Sequence, residues 1–165
     1  MKRQKLWARF FLVASLATMV VIFCFSGQPA DDSSAVSDEI TLTVAGIVRP
    51  DYVSLPAPER QSFLEALSKI IRKNAHFLEY ALLGFNLTAW LCLSRPQAAP
   101  RRCRMQAWGL TALYAASDEL HQLFVEGRSA EVLDILIDSA GGLFGVLIAT
   151  LALKLLARFL ERRPS

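Results

Sequence analysis

The chain has 165 residues, 53% of them hydrophobic, with a mean hydropathy of +0.35; that is only slightly more apolar than an ordinary soluble domain, so distribution matters more than the average. A net charge of +3 is too small to suggest nucleic-acid binding. Cys24, Cys92 and Cys103 lack zinc-ligand spacing, and two fall inside apolar runs, which argues against a disulfide framework or a metal knuckle.

Most of the charge sits in short blocks, and between them lie runs long enough to cross about 30 Å of hydrocarbon. Leu6 to Phe25 is the first such run, preceded by Lys2, Arg3 and Lys5. A signal peptide also starts basic and turns apolar, but this run is longer than a signal core. The best cleavage candidate, after Ala30, has Gln28 where a small residue is wanted, so the segment reads as an uncleaved anchor. Residues 26–60 form the longest polar stretch, punctuated by Gly27, Pro29, Pro50, Pro56 and Pro58. Within it, Val36, Ile40, Val44 and Ile47 fit one face of a short helix, while Ile40 to Val44 also alternates as a strand would. From Glu59 to Lys73, residues Phe63, Leu64, Leu67, Ile70 and Ile71 make a clearer amphipathic stripe, with Pro58 suited to its first turn. Such a helix is expected at the membrane surface before the chain enters the bilayer.

Ala75 to Leu93 is the second span, Ala107 to Val125 the third, and Val132 to Phe159 contains the fourth. Between them lie an arginine-rich loop, Arg95 to Arg104, and a tight polar turn, Glu126 to Glu131. Arg158, Glu161, Arg162 and Arg163 close the last run. The expected fold is therefore all-α: one membrane domain over 1–165, with four transmembrane helices at about 6–25, 75–93, 107–125 and 132–156. An extracytoplasmic segment, 26–73, carries short amphipathic helices between the first two spans.

The amino terminus, loop 95–104 and the carboxyl terminus are all basic, and four spans put them on one side. That side should be cytoplasmic, in a multi-pass protein of the bacterial inner membrane. The stretch 26–60, with Asp31, Asp32, Asp38, Glu39, Asp51 and Glu59 against Arg49 and Arg60, belongs outside. Lys69, Arg72 and Lys73 then lie on the side the rule disfavours, which makes them functional candidates. Trp7, Trp90 and Trp108 all fall at predicted inner ends, where an aromatic belt would lie.

Ionisable groups inside a span cost about 2.5–3.5 kcal/mol each at the helix centre. Here they recur in three spans: His76, Glu79 and Tyr80, after Arg72 and Lys73; then Asp118, Glu119, His121 and Gln122; then Asp134 and Asp138, preceded by Arg128. At 1.5 Å per residue, His76 and Tyr80 lie roughly 5–10 Å inward from Lys73, Asp138 about 10 Å inward from Glu131, and Asp118 about 20 Å out from Arg104. All three clusters thus reach one layer of the outer leaflet. Asp118, His121 and Gln122 share a face with Tyr114, whereas Glu119 points about 100° away, as a cap or supporting group would. Asp134 and Asp138 align with Gly141, and Gly141 with Gly145 forms a small-xxx-small pattern that lets a neighbouring helix approach. The structural alternative is interhelical glue, a polar network that holds a bundle together without touching any ligand.

Arg72-Lys73-Asn74-Ala75-His76-Phe77 with Glu79-Tyr80 resembles the second-helix motif of VanZ-like membrane proteins. Asp118-Glu119-Leu120-His121-Gln122 resembles that family's third-helix motif, and Gly127-Arg128 with Asp134, Asp138 and Gly141 its last. Phe25-Ser26-Gly27-Gln28-Pro29 is similar to the family's segment just beyond the first helix. Gly27 stands where the family commonly has a second serine, and Glu126 where it often has a proline; neither belongs to the ionisable set. The resemblance implies a four-span bacterial membrane protein of the cell envelope. The family's founding member is associated with low-level resistance to the glycopeptide teicoplanin.

Three functions compete. One is an envelope-modifying or protective protein that binds an anionic lipid or cell-wall precursor at the outer face, through Arg72, Lys73 and Arg128. Tyr80, Glu119, Gln122, Asp134 and Asp138 complete that ligand-binding set. The second is an enzyme on a lipid-linked substrate, with His121 or His76 as general base and Asp118 orienting it. A divalent ion held by His76, His121, Asp118 and Asp138 is a variant without a local metal motif, so no metal and no cofactor is expected. The third is a transporter subunit, for which four spans are few. The expected partners are the bilayer and such a ligand, with no nucleic acid; the oligomeric state is open.

Overall fold

The computed structural model describes residues 2–28 and 30–161, with side chains for all of these except 30–37. Pro29, Arg162, Arg163 and the place of Val36 on its helix face therefore lie outside the described residues. The chain is all-helical: α1 Lys2–Ser26, α2 Ala30–Val48, α3 Ala57–Ser94, α4 Pro100–Gln122 and α5 Val132–Glu161, with one 3-10 turn, Tyr52–Ser54. Among the described residues there is no strand.

The alternation at Ile40–Val44 is absorbed into α2, which is a 19-residue helix and not a short one. Thr43 donates its hydroxyl to the Glu39 carbonyl one turn back, at 2.9 Å, a helical back-bond that a strand would not make. The helix ends at Val48, ahead of Arg49-Pro50, where a proline disfavours helical backbone in the residue before it. Arg49 then sits 5.8 Å from the Phe63 ring centroid, which ties the α2–α3 turn to α3.

α3 changes the expected layout most. The amphipathic stretch 59–73 and the span 75–93 form one continuous helix of 38 residues, opened by proline in its first turn. At 1.5 Å per residue it is roughly 57 Å long, far more than the hydrocarbon thickness. No proline lies between Pro58 and Pro96 and the only glycine is Gly84, so nothing stops the helix where a surface segment would have turned into a span.

α3 is the hub: it packs against α5, α1, α4 and α2, and most extensively against α5. The α3–α5 contact is as close as backbone allows. A Cβ at Gly145 would overlap the Ala81 carbonyl, one at Gly141 the Phe77 carbonyl, and one at Gly84 the Gly142 carbonyl. The small-residue face read from Gly141 and Gly145 thus meets α3 directly. Gln4 of α1 donates to the Leu93 carbonyl of α3 at 3.1 Å, so the basic end of α1 lies beside the end of α3.

Three helices, α1, α3 and α5, are long and apolar enough to cross a membrane. α4 is not, and the segment expected as a span at 107–125 belongs to a helix that runs from Pro100 to Gln122. Its first turns hold Arg101, Arg102 and Arg104, and its last turns hold the polar residues of the third cluster.

Candidate functional site

The last turns of α1 and α4 and the early turns of α5 meet beside the middle of α3. Ser26 closes α1 and donates its hydroxyl to Asp118 of α4 at 2.7 Å, with both residues buried. Gln122, one turn after Asp118, donates to the same carboxylate oxygen at 3.3 Å. The chain then turns through Gly127, whose φ of 74° is the left-handed backbone that glycine adopts without penalty.

That turn delivers Arg128 to the end of α1. Its Nε donates to the Gln28 carbonyl at 3.1 Å and its Nη2 to the Phe25 carbonyl at 3.3 Å. The Phe25 carbonyl, in the last turn of α1, also accepts from the Gln28 backbone N–H at 3.3 Å. Two of the five guanidinium N–H groups are so used, and three remain. Burial, and after it the like charge of Arg72, press the Arg128 pKa below its ordinary value. Two guanidinium groups are thus held against each other's repulsion.

A cavity of about 100 Å³ opens here. It is lined by Arg72, Lys73 and His76 from α3, Glu119 and Gln122 from α4, Arg128 from the turn, and Asp134 and Asp138 from α5. Eight of the residues singled out from sequence therefore meet at one site, from three helices and one turn. Members of all three ionisable clusters are thus brought to one cavity.

Asp118, His121 and Tyr80 do not line it. Asp118 sits just behind, held by Ser26 and Gln122. His121 turns the other way and stacks on Phe23 of α1, with ring centroids 4.4 Å apart and planes 18° from parallel. Tyr114, expected on the same face, donates to the Met19 carbonyl of α1 at 2.6 Å. The α4 face read as one surface is divided between α1 and the cavity. Tyr80 is fully buried.

Lys73, expected to grip an anion, is taken up by an ion pair with Asp134 and by Glu131 at 3.2 Å. Arg72 makes no hydrogen bond or ion pair with any other described residue. Glu119 fulfils the capping role: its carboxylate accepts from the Glu131 backbone N–H at 3.0 Å, just before α5 begins.

Several buried polar atoms have no hydrogen-bond partner among the described residues: Nδ1 of His76 and of His121, the Tyr80 hydroxyl, and Oδ1 of Asp138. Asp138 is only 2% exposed. The carboxylate nearest to His76 Nδ1 is Glu79, at 3.6 Å. Buried polar groups are nearly always paired, so such a cluster needs an explanation.

Sequence reasoning assigned no role to Ser26, or to Ser129 and Glu131, which also line the cavity. Ser26 stood in a recognised segment, and a hydroxyl closing an apolar helix was its signal. Glu131 was read only as the end of a turn. No three His, Cys, Asp or Glu side chains among the described residues are grouped so as to hold one metal ion.

A family model described as VanZ/LLP1 matches residues 11–154. Neither the curated proteins nor the solved structures give a match to the chain. The match to the family model runs from within α1 almost to the end of α5, so the chain belongs to the VanZ/LLP1 family.

Proposed function

We propose that this protein binds an anionic lipid or lipid-linked cell-wall precursor at the outer face of the bacterial inner membrane, as a four-span envelope protein that protects against glycopeptides such as teicoplanin. The observation that carries the reading is the cavity between α3, α4 and α5, where Arg72 and Arg128 both line about 100 Å³ of space beside Asp138, whose Oδ1 has no hydrogen-bond partner among the described residues. A space of that size suits one phosphate or carboxylate group. Arg72 is unpaired among the described residues, and Arg128 keeps three N–H groups beyond those spent on α1, so together they offer the planar forks that grip such groups bidentately.

Four spans require α4 to cross as well. Its 23 residues reach roughly 34 Å, enough for the hydrocarbon core. Its polar outer end is turned inward, with Asp118 on Ser26, Glu119 on the α5 start and Gln122 in the cavity. Polar residues that face a bundle interior do not bar a helix from a membrane.

A second reading, chemistry on the bound molecule, is favoured by one observation: His76 lines the same cavity with a buried Nδ1 that has no hydrogen-bond partner among the described residues. His76 then replaces His121 as the candidate base, since His121 is stacked on Phe23. Native mass spectrometry of protein purified in mild detergent tests the binding reading. One anionic lipid-linked molecule per chain is expected, enriched over its share of the membrane. A lipid profile identical to the bulk membrane would refute it.

A further inference from the structure

Beside the cavity runs a second, larger depression with about 560 Å³ of open space, between α2 and the first half of α3. Arg72 lines both, so the two are neighbours across one side chain. The groove follows α3 from Ala57 to Arg72, a run of roughly 22 Å at 1.5 Å per residue. It lies on the part of α3 that precedes the proposed span, and so beyond the hydrocarbon.

Its lining is unlike an acyl-chain slot. Arg60 and Lys69 stand in it with Asp38 and Glu65, and no ion pair joins these four among the described residues. Thr41 of α2 also lines it; the residue is 3% exposed, and its hydroxyl has no hydrogen-bond partner among the described residues. A buried hydroxyl left unpaired beside the groove lacks a partner that the described residues do not supply. Charges of both signs would serve an apolar chain badly, and an uncharged saccharide would leave them unused. A peptide, with carboxylate, amine and amide groups along its length, uses all of them.

We infer that the cavity and the α2–α3 groove form one bipartite site, in which the phosphate of a lipid-linked ligand sits at Arg72 and Arg128 while a charged peptide on its head group lies along the groove past Thr41 and Lys69. The inference rests on the reading of the cavity as an anion site. The combined space, about 560 Å³ of groove beside about 100 Å³ of cavity, is in the range of sites that enclose a whole small ligand.

Three probes test it on the full-length protein in detergent: a short-chain polyprenyl diphosphate, the same lipid bearing a disaccharide, and the same lipid bearing a disaccharide–pentapeptide. The peptide-bearing probe should bind at least about tenfold more tightly than the other two. Thr41→Val with Lys69→Gln should remove that advantage and leave the bare diphosphate unaffected. Lys69→Gln alone, at an exposed position, serves if the double variant does not fold. Equal affinity for all three probes, or an advantage that survives in the groove variants, would overturn the bipartite site and leave the anion site standing. No binding of any probe would overturn both.

Discussion

Asp118 and Asp138 are both buried carboxylates on neighbouring helices, but their surroundings differ. Asp118 accepts from Ser26 and Gln122, whereas Asp138 Oδ1 has no partner among the described residues. Losing Asp118 strands two donors, so Asp118→Ala should lower stability by about 2–3 kcal/mol, read from unfolding in detergent. Asp138→Leu removes a group that already lacks its bond, and should leave the melting temperature unchanged or raise it. A marked loss of stability in Asp138→Leu would make Asp138 a structural member after all. His121→Gln should cost stability through lost stacking on Phe23 and leave ligand retention intact, and His76→Gln should show the reverse.

At the scale of helices, α3 and α5 depend on missing side chains. Gly145→Leu would drive a side chain into the Ala81 carbonyl, and should destabilise by about 1–3 kcal/mol or prevent assembly. Gly109 lies in α4 with nothing within 4 Å of the position its Cβ would take. Gly109→Ala should therefore stabilise, by up to about 1 kcal/mol of helix propensity. Paired melting curves check both, and a stabilised Gly145→Leu would refute the close α3–α5 contact.

Periodicity made much of this legible. Asp134, Asp138, Gly141 and Gly145 lie on one face by spacing alone, and they face α3 in the fold. The convergence of the three clusters on one cavity was readable too, because helix rise converts sequence position into distance along a helix. What spacing could not supply is which neighbour a face meets. Tyr114, Asp118, His121 and Gln122 share a stripe, yet packing order alone sends His121 to Phe23 and Gln122 into the cavity. The continuity of α3 was hidden by polarity: the change in composition near Lys73 looked like a boundary, though no helix-breaking residue stands there. Arg128 read as a ligand-binding cation, and its bonds to the Phe25 and Gln28 carbonyls depend on a contact about a hundred residues apart in the chain.

At the scale of the whole molecule, the proposed four-span arrangement predicts sidedness. With the native cysteines replaced, Asp51→Cys should react with an impermeant thiol reagent from outside, and Gln97→Cys only after the membrane is opened. Reaction of both from one side would overturn the topology and the outward orientation of the cavity. Cells expressing the protein should tolerate more teicoplanin than cells expressing an Arg72→Gln, Arg128→Gln variant that is equally abundant in the membrane.

The cavity is either a ligand site or polar glue between helices, and these differ in how binding relates to stability. The direct measurement is the amount of anionic lipid-linked molecule retained per chain, by native mass spectrometry, set against melting temperature across Arg72→Gln, Arg128→Lys, His76→Gln and Asp138→Leu. Arg128→Lys keeps the charge but loses the planar fork. A binding site predicts variants that melt like the parent and emerge without the molecule. Retention that simply follows melting temperature through the whole series would contradict it and leave the network as glue.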